Sequence, residues 1–351
     1  MREFLARLKV VWLTLRGWVS VALSWVEFAL SFLRSPRQIL SAWPEGEVKL
    51  GPRVAVFIHF DGAGAVREHT LHYVRALHAA GLSVLFVTNS GKLRPEAMAA
   101  LQPICAGIVI RRNIGYDFGA MREGLTHLGL PRADTEMVVL ANDSIYGPFG
   151  PLDDMIARID FAEADIWGAT DSWQRRYHVQ SYFLAAGRTA LESKAWREFW
   201  DKIRPVKSKT WVVNNYEVGL SQQMLRGGLR LSSIWRYHEL VRDVNASWLM
   251  RPRKENVAGA QSGEPIREMR FVHAHRIRYN VVARRPLNPT SDLWRQLLRA
   301  GFPFIKRELL RDNPSEVADI SEWRDEVERK FGPVPIAIDR DLQRAMRNHV
   351  L

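Results

Sequence analysis

The sequence predicts an α/β fold with a mostly parallel central sheet flanked by helices, an amphipathic N-terminal helix and a helical C-terminal extension. From Arg53 onward, short apolar runs end in polar residues and are followed by helical patterns, which is the rhythm of a parallel-sheet domain. Hydrophobic residues make up 47% of the 351 residues, which is enough to bury one large core. We therefore expect three segments, at residues 1–45, 46–285 and 286–351.

The period of the apolar residues assigns the elements in chain order. Strands are predicted at Val54 to Phe60, Val84 to Thr88, Ile108 to Arg111 and Met137 to Ala141. Helices are predicted at Val66 to Ala80, around Met121 to Leu128, and in the extension at Trp294 to Ala300 and Ile305 to Leu310. Trp43-Pro44-Glu45-Gly46 is predicted to be a linker between the N-terminal helix and the domain.

Composition and charge narrow the class of partner. Fifty Lys and Arg against 38 Asp and Glu give a net charge of +12, which attracts phosphates in nucleic acid, anionic lipid or nucleotide sugar. The basic residues form no dense run, so nucleic acid is not expected as a partner. Cys105 is the single cysteine, which excludes an intrachain disulfide and favours a reducing compartment. Its apolar neighbours predict a small buried side chain.

The first 34 residues are rich in aromatic and aliphatic residues, but the longest charge-free run, Gly17 to Val26, is too short to span a membrane. When these residues are placed on a helix, the polar ones fall on one stripe: Arg2, Lys9, Arg16, Ser20, Glu27, Ser31 and Arg34. Trp12, Trp18 and Trp25 flank the broad apolar face. This pattern is typical of a helix lying in a membrane surface, and docking on the protein's own core or on a second subunit is the alternative. We expect a cytoplasmic protein bound peripherally to the inner face of a bacterial cytoplasmic membrane.

Polar residues follow the predicted strands at the point where each strand ends. They are His59 and Asp61, Asn89 and Ser90, Arg112 and Asn113, and Asn142, Asp143 and Ser144. In open α/β sheets, ligands bind at the carboxyl ends of the strands, so these side chains are expected to share one cleft. Asp61-Gly62-Ala63-Gly64 is a weak match to a dinucleotide loop, because Arg67 occupies the position of the third glycine.

The segment from Arg111 to Ala120 follows a strand and begins a helix. Arg111, Arg112 and the backbone amides near Gly115 are candidates to face a diphosphate. The alternative is an ordinary strand-to-helix loop in which Asp117 caps the helix.

Two acidic residues are the candidates for catalysis. Asp143 leaves the most apolar strand, where a carboxylate can hold Mg²⁺ or Mn²⁺ against two phosphates; a turn capped by Asp143 and Asn142 is the alternative. Glu217 is predicted to stand at the start of an amphipathic helix, as a general base for an acceptor hydroxyl. The preference of a helix N-terminus for negative charge explains Glu217 equally simply.

Several further residues are weaker candidates. His178, Gln180 and Tyr216 are expected to line a sugar or acceptor pocket, although a strand packed on the core also explains the first two. His273 and His275 alternate on one face of a predicted strand, and His275 or His238 is a candidate metal or diphosphate ligand. A histidine bonded within the fold is the alternative at each position.

Taken together, these segments resemble the rhamnan synthesis protein F family. The resemblance covers about residues 53 to 315 and is carried by Val54 to Asp61, Asn113 to Gly119, Asn142 to Pro148, Trp167 to Ser172 and Tyr216 to Gly219. Gly301 to Leu310 is similar to the tail of the family. The resemblance implies a GT-A-like (Rossmann-like) fold and a rhamnosyltransferase-like activity that uses a nucleotide-sugar donor of the dTDP-rhamnose type. The acceptor implied is a lipid-linked or cell-envelope polysaccharide.

The resemblance also implies a division of roles among the candidates. Asp61, Ser90, Asn113, Asp117 and Asn142 are expected near the nucleotide and donor, Asp143 near the diphosphate, and Glu217 near the acceptor. One base without an evident nucleophile predicts inversion at the anomeric carbon. Asn142-Asp143-Ser144 lacks the first acid of the usual Asp-x-Asp motif, which leaves metal dependence open. Two alternatives remain, a non-catalytic scaffold that binds glycan or nucleotide sugar, and a sugar phosphotransferase.

Overall fold

The computed structural model describes residues 19, 21–33, 37–243 and 264–347. Much of the evidence for the N-terminal amphipathic helix therefore lies outside the described residues, namely Arg2, Lys9, Trp12, Arg16, Trp18, Ser20 and Arg34. The described part of that helix, α1, covers residues 21–31.

Eleven strands are present in the described residues. They are β1 Ile39–Trp43, β2 Arg53–His59, β3 Ser83–Thr88, β4 Gly107–Arg111, β5 Met137–Asn142, β6 Ile145–Tyr146, β7 Ile166–Ser172, β8 His178–Val179, β9 Phe183–Gly187, β10 Leu231–Trp235 and β11 Ile305–Lys306.

The helices lie between and after these strands. They are α2 Glu68–Ala79, α3 Pro95–Leu101, α4 Tyr116–Leu128, α5 Leu152–Ile156, α6 Arg188–Glu192, α7 Lys194–Lys202, α8 Lys209–Trp211, a π-helix at Val212–Glu217, α9 Val218–Arg226, α10 Tyr237–Asp243, α11 Glu264–Val282, α12 Pro289–Asp292, α13 Trp294–Arg299, α14 Arg307–Arg311, a 3-10 helix at Ile320–Glu322, α15 Trp323–Phe331 and α16 Ile336–Arg347.

The main sheet has the strand order β1-β4-β3-β2-β5-β9-β7-β10, with β8 paired to β7. Strands β4, β3, β2 and β5 are mutually parallel, whereas β9 runs antiparallel to both β5 and β7. This reversal returns β7 and β10 to the direction of the parallel block. The predicted α/β fold with a mostly parallel sheet and a helical extension is therefore confirmed.

The sheet is buried on both faces, as the near-continuous apolar strands require. Along β2, Ala55 and Phe57 pack into one hydrophobic cluster, whereas Val54 and Val56 pack into the cluster on the other face. Side chains alternate across a strand, so a strand covered on both sides must be apolar at successive positions. Cys105 is buried as predicted, and burial raises the pKa of its thiol to about 12.

Three local predictions were wrong. The segment assigned to the N-terminal linker contains β1, which pairs antiparallel with β4 through Trp43↔Ile108. Ile305 belongs to a short strand rather than to a helix. His273 and His275 lie on α11 rather than on a strand. The first two errors share one cause, because short or edge strands are fixed by the partner they pair with more than by their own pattern. The third arose because alternation over a few residues does not distinguish a strand from part of a helix.

The C-terminal extension shares its core with the sheet domain. Leu293, Phe302 and Phe304 belong to the same hydrophobic cluster as Phe57 of β2. Within the extension, the buried Arg295 is paired with Asp319, Glu322 and Glu326. The predicted boundary at residue 285 therefore does not separate two cores.

Candidate active site

The polar residues that follow β2, β3 and β5 meet at one edge of the sheet. The Asp143 amide donates to the carbonyl of Ile58 at 3.1 Å, and the Asn89 amide donates to the carbonyl of His59 at 2.8 Å. The Asp61 amide donates to the Ser90 hydroxyl oxygen at 2.9 Å. Parallel register therefore brings the predicted strand-end residues together, as the sequence led us to expect.

Asn142 connects this edge to the start of α4. Its Nδ2 donates to Oδ2 of Asp117 at 2.8 Å, and its Oδ1 accepts from the Ser144 hydroxyl at 2.6 Å and the Ser144 amide at 3.1 Å. Burial, reinforced by the nearby Asp143 carboxylate, raises the pKa of Asp117 to about 6. Asp117 and Asp143 therefore share one poorly solvated site.

Arg307, at the start of α14, lies against Asp143. Its Nη1 is 3.4 Å from Oδ2 of Asp143 and donates to the Asp143 carbonyl at 2.8 Å. Pairing of β11 with β6 sets this position, since it aligns Lys306 with Ile145 and Ile305 with Tyr146. Burial raises the pKa of Asp143 even though the guanidinium opposes that shift.

Lys306 precedes Arg307 and joins the same cluster. Its Nζ is 3.4 Å from the Ser144 hydroxyl and 5.4 Å from the centre of the Tyr182 ring. Burial lowers the pKa of Lys306, whereas the carboxylates of Glu217 and Asp117 act in the opposite direction. The ammonium of Lys306 is therefore influenced by carboxylates from both the sheet edge and the helical run that contains Glu217.

Glu217 is held beside this cluster by Ser181. It is the last residue of the π-helix and directly precedes α9, so it stands at the start of that helix as predicted, although the helical run already begins at Lys209. Its Oε1 accepts from the Ser181 hydroxyl at 2.9 Å and from the Ser181 amide at 3.2 Å. Glu217 also raises the pKa of Asp117, although burial and Asp143 contribute more. Ser181 is followed by Tyr182, whose ring lies 5.4 Å from Lys306 Nζ, so Glu217 and Lys306 contact neighbouring residues of the chain.

A further set of ionic contacts and hydrogen bonds holds the extension in place. Asp341 on α16 accepts a hydrogen bond from the Tyr146 hydroxyl at 2.8 Å, and its Oδ2 lies 3.4 Å from Nη2 of Arg307. Arg67 Nε lies between Asp341 Oδ1 at 3.4 Å and Asp61 Oδ2 at 3.5 Å. Asp61 therefore connects to the extension, and its remaining oxygen accepts from the amides of the turn that follows it.

Two buried histidines border this network. His59 hydrogen-bonds to Thr88 through Nδ1, and His69 Nδ1 lies 3.5 Å from Asp341 Oδ2. Burial lowers the pKa of His59 to about 4 and that of His69 to about 3. Both rings are therefore neutral at pH 7.

The family comparison bears on the region that holds most of these residues. Rhamnan synthesis protein F is the family that matches, over residues 84–247. This match confirms the predicted family resemblance. The matched part of this chain includes Asp117, Asp143 and Glu217, whereas Lys306 and Arg307 lie outside it.

Individual relatives are similar over a comparable length. Virulence protein VirA of Vibrio anguillarum is 29% identical over 230 residues, which cover 64% of this chain and 68% of the relative. The uncharacterized protein y4gN of Sinorhizobium fredii is 26% identical over 202 residues, which cover 56% of this chain and 52% of that protein.

Solved structures show only a distant likeness. The glycosyltransferase GlyE of Streptococcus pneumoniae is 14% identical, with 56% of this chain and 46% of that chain covered and a TM-score of 0.35. The mannosyltransferase PcManGT of Pyrobaculum calidifontis, solved with GDP-Man and Mn²⁺, is 12% identical, with 94% and 91% covered and a TM-score of 0.31. Likenesses at this level carry no conclusion about function.

The prediction from sequence missed the residues that the extension contributes to the site. Lys306, Arg307 and Asp341 complete the cluster, but none was predicted as a site residue. The available signal was the Gly301 to Leu310 segment, which resembles the family's tail and contains two of them.

Arg111 takes a structural position in place of the predicted diphosphate contact. It is 1% exposed, and its guanidinium donates to Glu123, Asn89 and the Ile114 carbonyl. Arg112 and Asn113 are exposed at the following turn. Gly115 adopts a φ of +87°, and a Cβ there would meet Pro205 Cα at 3.2 Å. This glycine thus lets the loop before α4 pack tightly on residues 205–207.

The predicted pocket residues also bond within the fold. Tyr216 exchanges hydrogen bonds with the backbone of Arg204, at 3.1 and 3.2 Å. Gln180 Oε1 accepts from the Thr170 hydroxyl at 2.7 Å, and His178 Nδ1 is 2.8 Å from the Arg176 carbonyl. These contacts support the alternative interpretation of a strand packed on the core.

The histidines proposed as metal ligands lie elsewhere. His275 is exposed on α11 with its ring 4.2 Å from that of Phe271, and His238 is exposed beside Glu239. Within the described ranges, no group of three His, Cys, Asp or Glu side chains is arranged to hold a metal ion.

A separate groove of 590 Å³ lies beside Tyr216. Aromatic side chains of α1 and α8, Trp25, Phe28 and Trp211, line it together with basic ones that include Arg175 and Arg226. Neither Asp143 nor Glu217 lines this groove.

Proposed function

We propose that this protein is a glycosyltransferase that uses a nucleotide-sugar donor. One arrangement carries the proposal: Asp143 lies 3.4 Å from Arg307 at the carboxyl edge of the parallel sheet, and Lys306 lies 5.4 Å from the ring of Tyr182, whose neighbour Ser181 holds Glu217. Sugar transfer needs this combination. Negative charge builds on the departing diphosphate, while the acceptor hydroxyl must lose a proton.

Glu217 is the proposed general base. Ser181 fixes Oε1 with two hydrogen bonds, whereas Oε2 makes no hydrogen bond to the described residues. In the proposed step, the acceptor oxygen forms a bond to the anomeric carbon and gives its proton to Glu217. The bond from that carbon to the diphosphate breaks, and its electron pair leaves with the diphosphate. A single displacement of this kind inverts the anomeric carbon.

The family match supports a proposal for the donor and the acceptor. The name rhamnan synthesis supports L-rhamnose carried by dTDP as the donor, and a lipid-linked or cell-envelope polysaccharide as the acceptor. The excess of positive charge favours an anionic donor of this kind.

The sequence also predicted a divalent cation at Asp143, but the oxygen atoms there already have other partners. Oδ2 of Asp143 faces a guanidinium at 3.4 Å, and the Asn142 amide oxygen accepts two hydrogen bonds from Ser144. A hard cation prefers several uncommitted oxygen ligands around one point. These residues do not fit such a site, and no step of the proposed mechanism runs through a metal.

Peripheral attachment to the inner face of the bacterial cytoplasmic membrane is part of the proposal. On α1, Ser24 and Glu27 bond to Ser208 and to the Lys207 amide, so the polar side of the helix faces the protein. The other side exposes large apolar residues: Leu23, Val26, Leu30 and, just beyond the helix, Leu33. An uncovered apolar face of this kind favours insertion among lipid headgroups. No helix in the described ranges is long and apolar enough to span a bilayer.

The test is acceptor-dependent release of nucleoside diphosphate by the purified full chain. With dTDP-rhamnose and a rhamnan acceptor, we expect turnover by the wild type and a loss of at least about 100-fold in kcat in Glu217→Gln. Glu96→Gln, at an exposed position on α3, is the matched control and should turn over normally. Donor binding without any turnover by the wild type would instead favour a non-catalytic scaffold.

A further inference from the structure

We infer that Lys306 and Arg307, in the C-terminal extension, neutralise the leaving diphosphate in the role that the sequence analysis gave to a divalent cation. This inference rests on the proposed glycosyltransferase function. Both residues lie outside the segment that matches the family, so the extension would contribute to the reaction as well as to the core.

The backbone delivers both residues to the place where the diphosphate is expected. β11 pairs with β6, which begins two residues after Asp143. The Arg307 amide donates to the Ser144 carbonyl at 3.0 Å, so the first turn of α14 is tied to the Asn142-Asp143-Ser144 segment. Since ligands of α/β sheets bind where parallel strands end, the two cations flank the expected position of the phosphates.

Arg307 is the fixed member of the pair. Asp143 and Asp341 hold it from two sides at 3.4 Å, and Tyr146 lies under its guanidinium at 5.4 Å. These contacts leave it little freedom to reorient. A guanidinium held in advance stabilises developing charge without having to reorganise as the bond breaks.

Lys306 is the member available to a ligand. Its ammonium has three donors, yet its contacts within the described chain are the Ser144 hydroxyl at 3.4 Å and the Tyr182 ring at 5.4 Å. No described carboxylate lies within ion-pair distance of it. A half-buried ammonium with such weak partners gains most from an incoming anion, because a charge removed from water needs an opposite charge nearby.

The electrostatics of the neighbouring acids agree with this assignment. Burial raises the pKa values of both Asp117, to about 6, and Asp143, which indicates that water screens charges in this cluster poorly. Burial lowers the pKa of Lys306, and a bound diphosphate would favour its charged form again. The site is therefore suited to receive an anion.

The experiment compares turnover with and without metal in the full-length protein. Treated with EDTA, the wild type should keep most of its acceptor-dependent release of nucleoside diphosphate. Lys306→Met should lower kcat by about 100-fold, and Lys306→Arg should recover part of that loss because it restores the charge. Lys330→Met, at an exposed position on α15, is the matched control and should match the wild type.

A second readout does not depend on catalysis. Calorimetric titration with dTDP in EDTA should show binding by the wild type and by Lys330→Met, and binding at least about tenfold weaker by Lys306→Met. The thermal midpoint of Lys306→Met should stay close to that of the wild type, which separates loss of charge from loss of fold.

Two results would overturn the inference. One is wild-type turnover that EDTA abolishes and Mn²⁺ or Mg²⁺ restores, and the other is a Lys306→Met variant with normal kcat and normal dTDP binding. Failure of the glycosyltransferase function itself looks different, because the wild type would then turn over no nucleotide sugar under any metal condition.

Discussion

Nη1 of Arg307 lies 3.4 Å from Oδ2 of Asp143, although the two residues are 164 positions apart in the chain. Asp143 follows the central strand of the sheet, whereas Arg307 begins a helix of the C-terminal extension. The extension therefore contributes charged groups to the candidate active site in addition to covering the core. This contact predicts that changes in the packing of the extension will alter activity as well as stability.

Gly147 packs against the extension at the sheet edge, so Gly147→Ala should push the extension away from that edge. Gly147 has a φ of +130°, and an added Cβ would lie 2.4 Å from the Pro303 carbonyl oxygen. We expect a loss of about 2–4 kcal/mol in the free energy of unfolding, measured by urea denaturation. Activity should fall even where the variant is fully folded. Gly46→Ala, where a Cβ meets nothing within 4 Å, is the control.

His59 and His69 predict an acid-sensitive fold. Burial lowers their pKa values to about 4 and about 3, from a usual value of 6.5. As the pH falls below 6.5, the unfolded chain takes up protons that the folded protein does not, so stability is lost progressively down to the folded pKa values. The thermal midpoint should therefore drop between pH 6.5 and 4. His59→Asn combined with His69→Gln should flatten that drop, and an unchanged slope would remove the histidines from the explanation.

Ser181 is predicted to position the proposed base. Its hydroxyl donates to Oε1 of Glu217 at 2.9 Å, and its amide, at 3.2 Å, would remain in Ser181→Ala. We expect kcat to fall by about tenfold, as loss of one hydrogen bond to a charged group implies, with dTDP binding unchanged. Ser193→Ala removes the side-chain cap of α7. This control should reduce stability without a specific effect on kcat.

The exposed face of α1 predicts binding to lipid. Replacing Val26, Leu30 and Leu33 together with Ser should reduce sedimentation with vesicles of phosphatidylethanolamine and phosphatidylglycerol, while activity on a soluble acceptor stays normal. Ile336→Ser, which removes an exposed apolar side chain on α16, is the control. If the triple variant instead converts a dimer to a monomer by light scattering and still binds vesicles, a second copy of this chain covers the face.

The predicted N-terminal helix illustrates what a periodic pattern leaves undecided. The pattern predicted a polar stripe and a broad apolar face, and Glu27 and Ser31 are the stripe residues that the structure describes. In the described part of α1, Ser24, Glu27 and Ser31 face inward, while Phe28 stacks on Trp211 at 4.9 Å. Which side of a helix is buried depends on the surface against which it packs. Residues distant in the sequence form that surface, so the pattern of the helix alone does not predict it.

By itself, the sequence determined the parallel strands and the polar residues at their carboxyl ends, because side-chain alternation and strand length are local properties. It therefore placed Asn142 and Asp143 at the end of a strand, and the amphipathic pattern that follows Glu217 made that residue a candidate. Only the tertiary structure decided that Arg111 turns inward, that His275 lies on a helix, and that Lys306 and Arg307 lie against Ser144 and Asp143. Those outcomes depend on contacts between distant segments, whose energies arise only when the chain has folded and water has been excluded from between them.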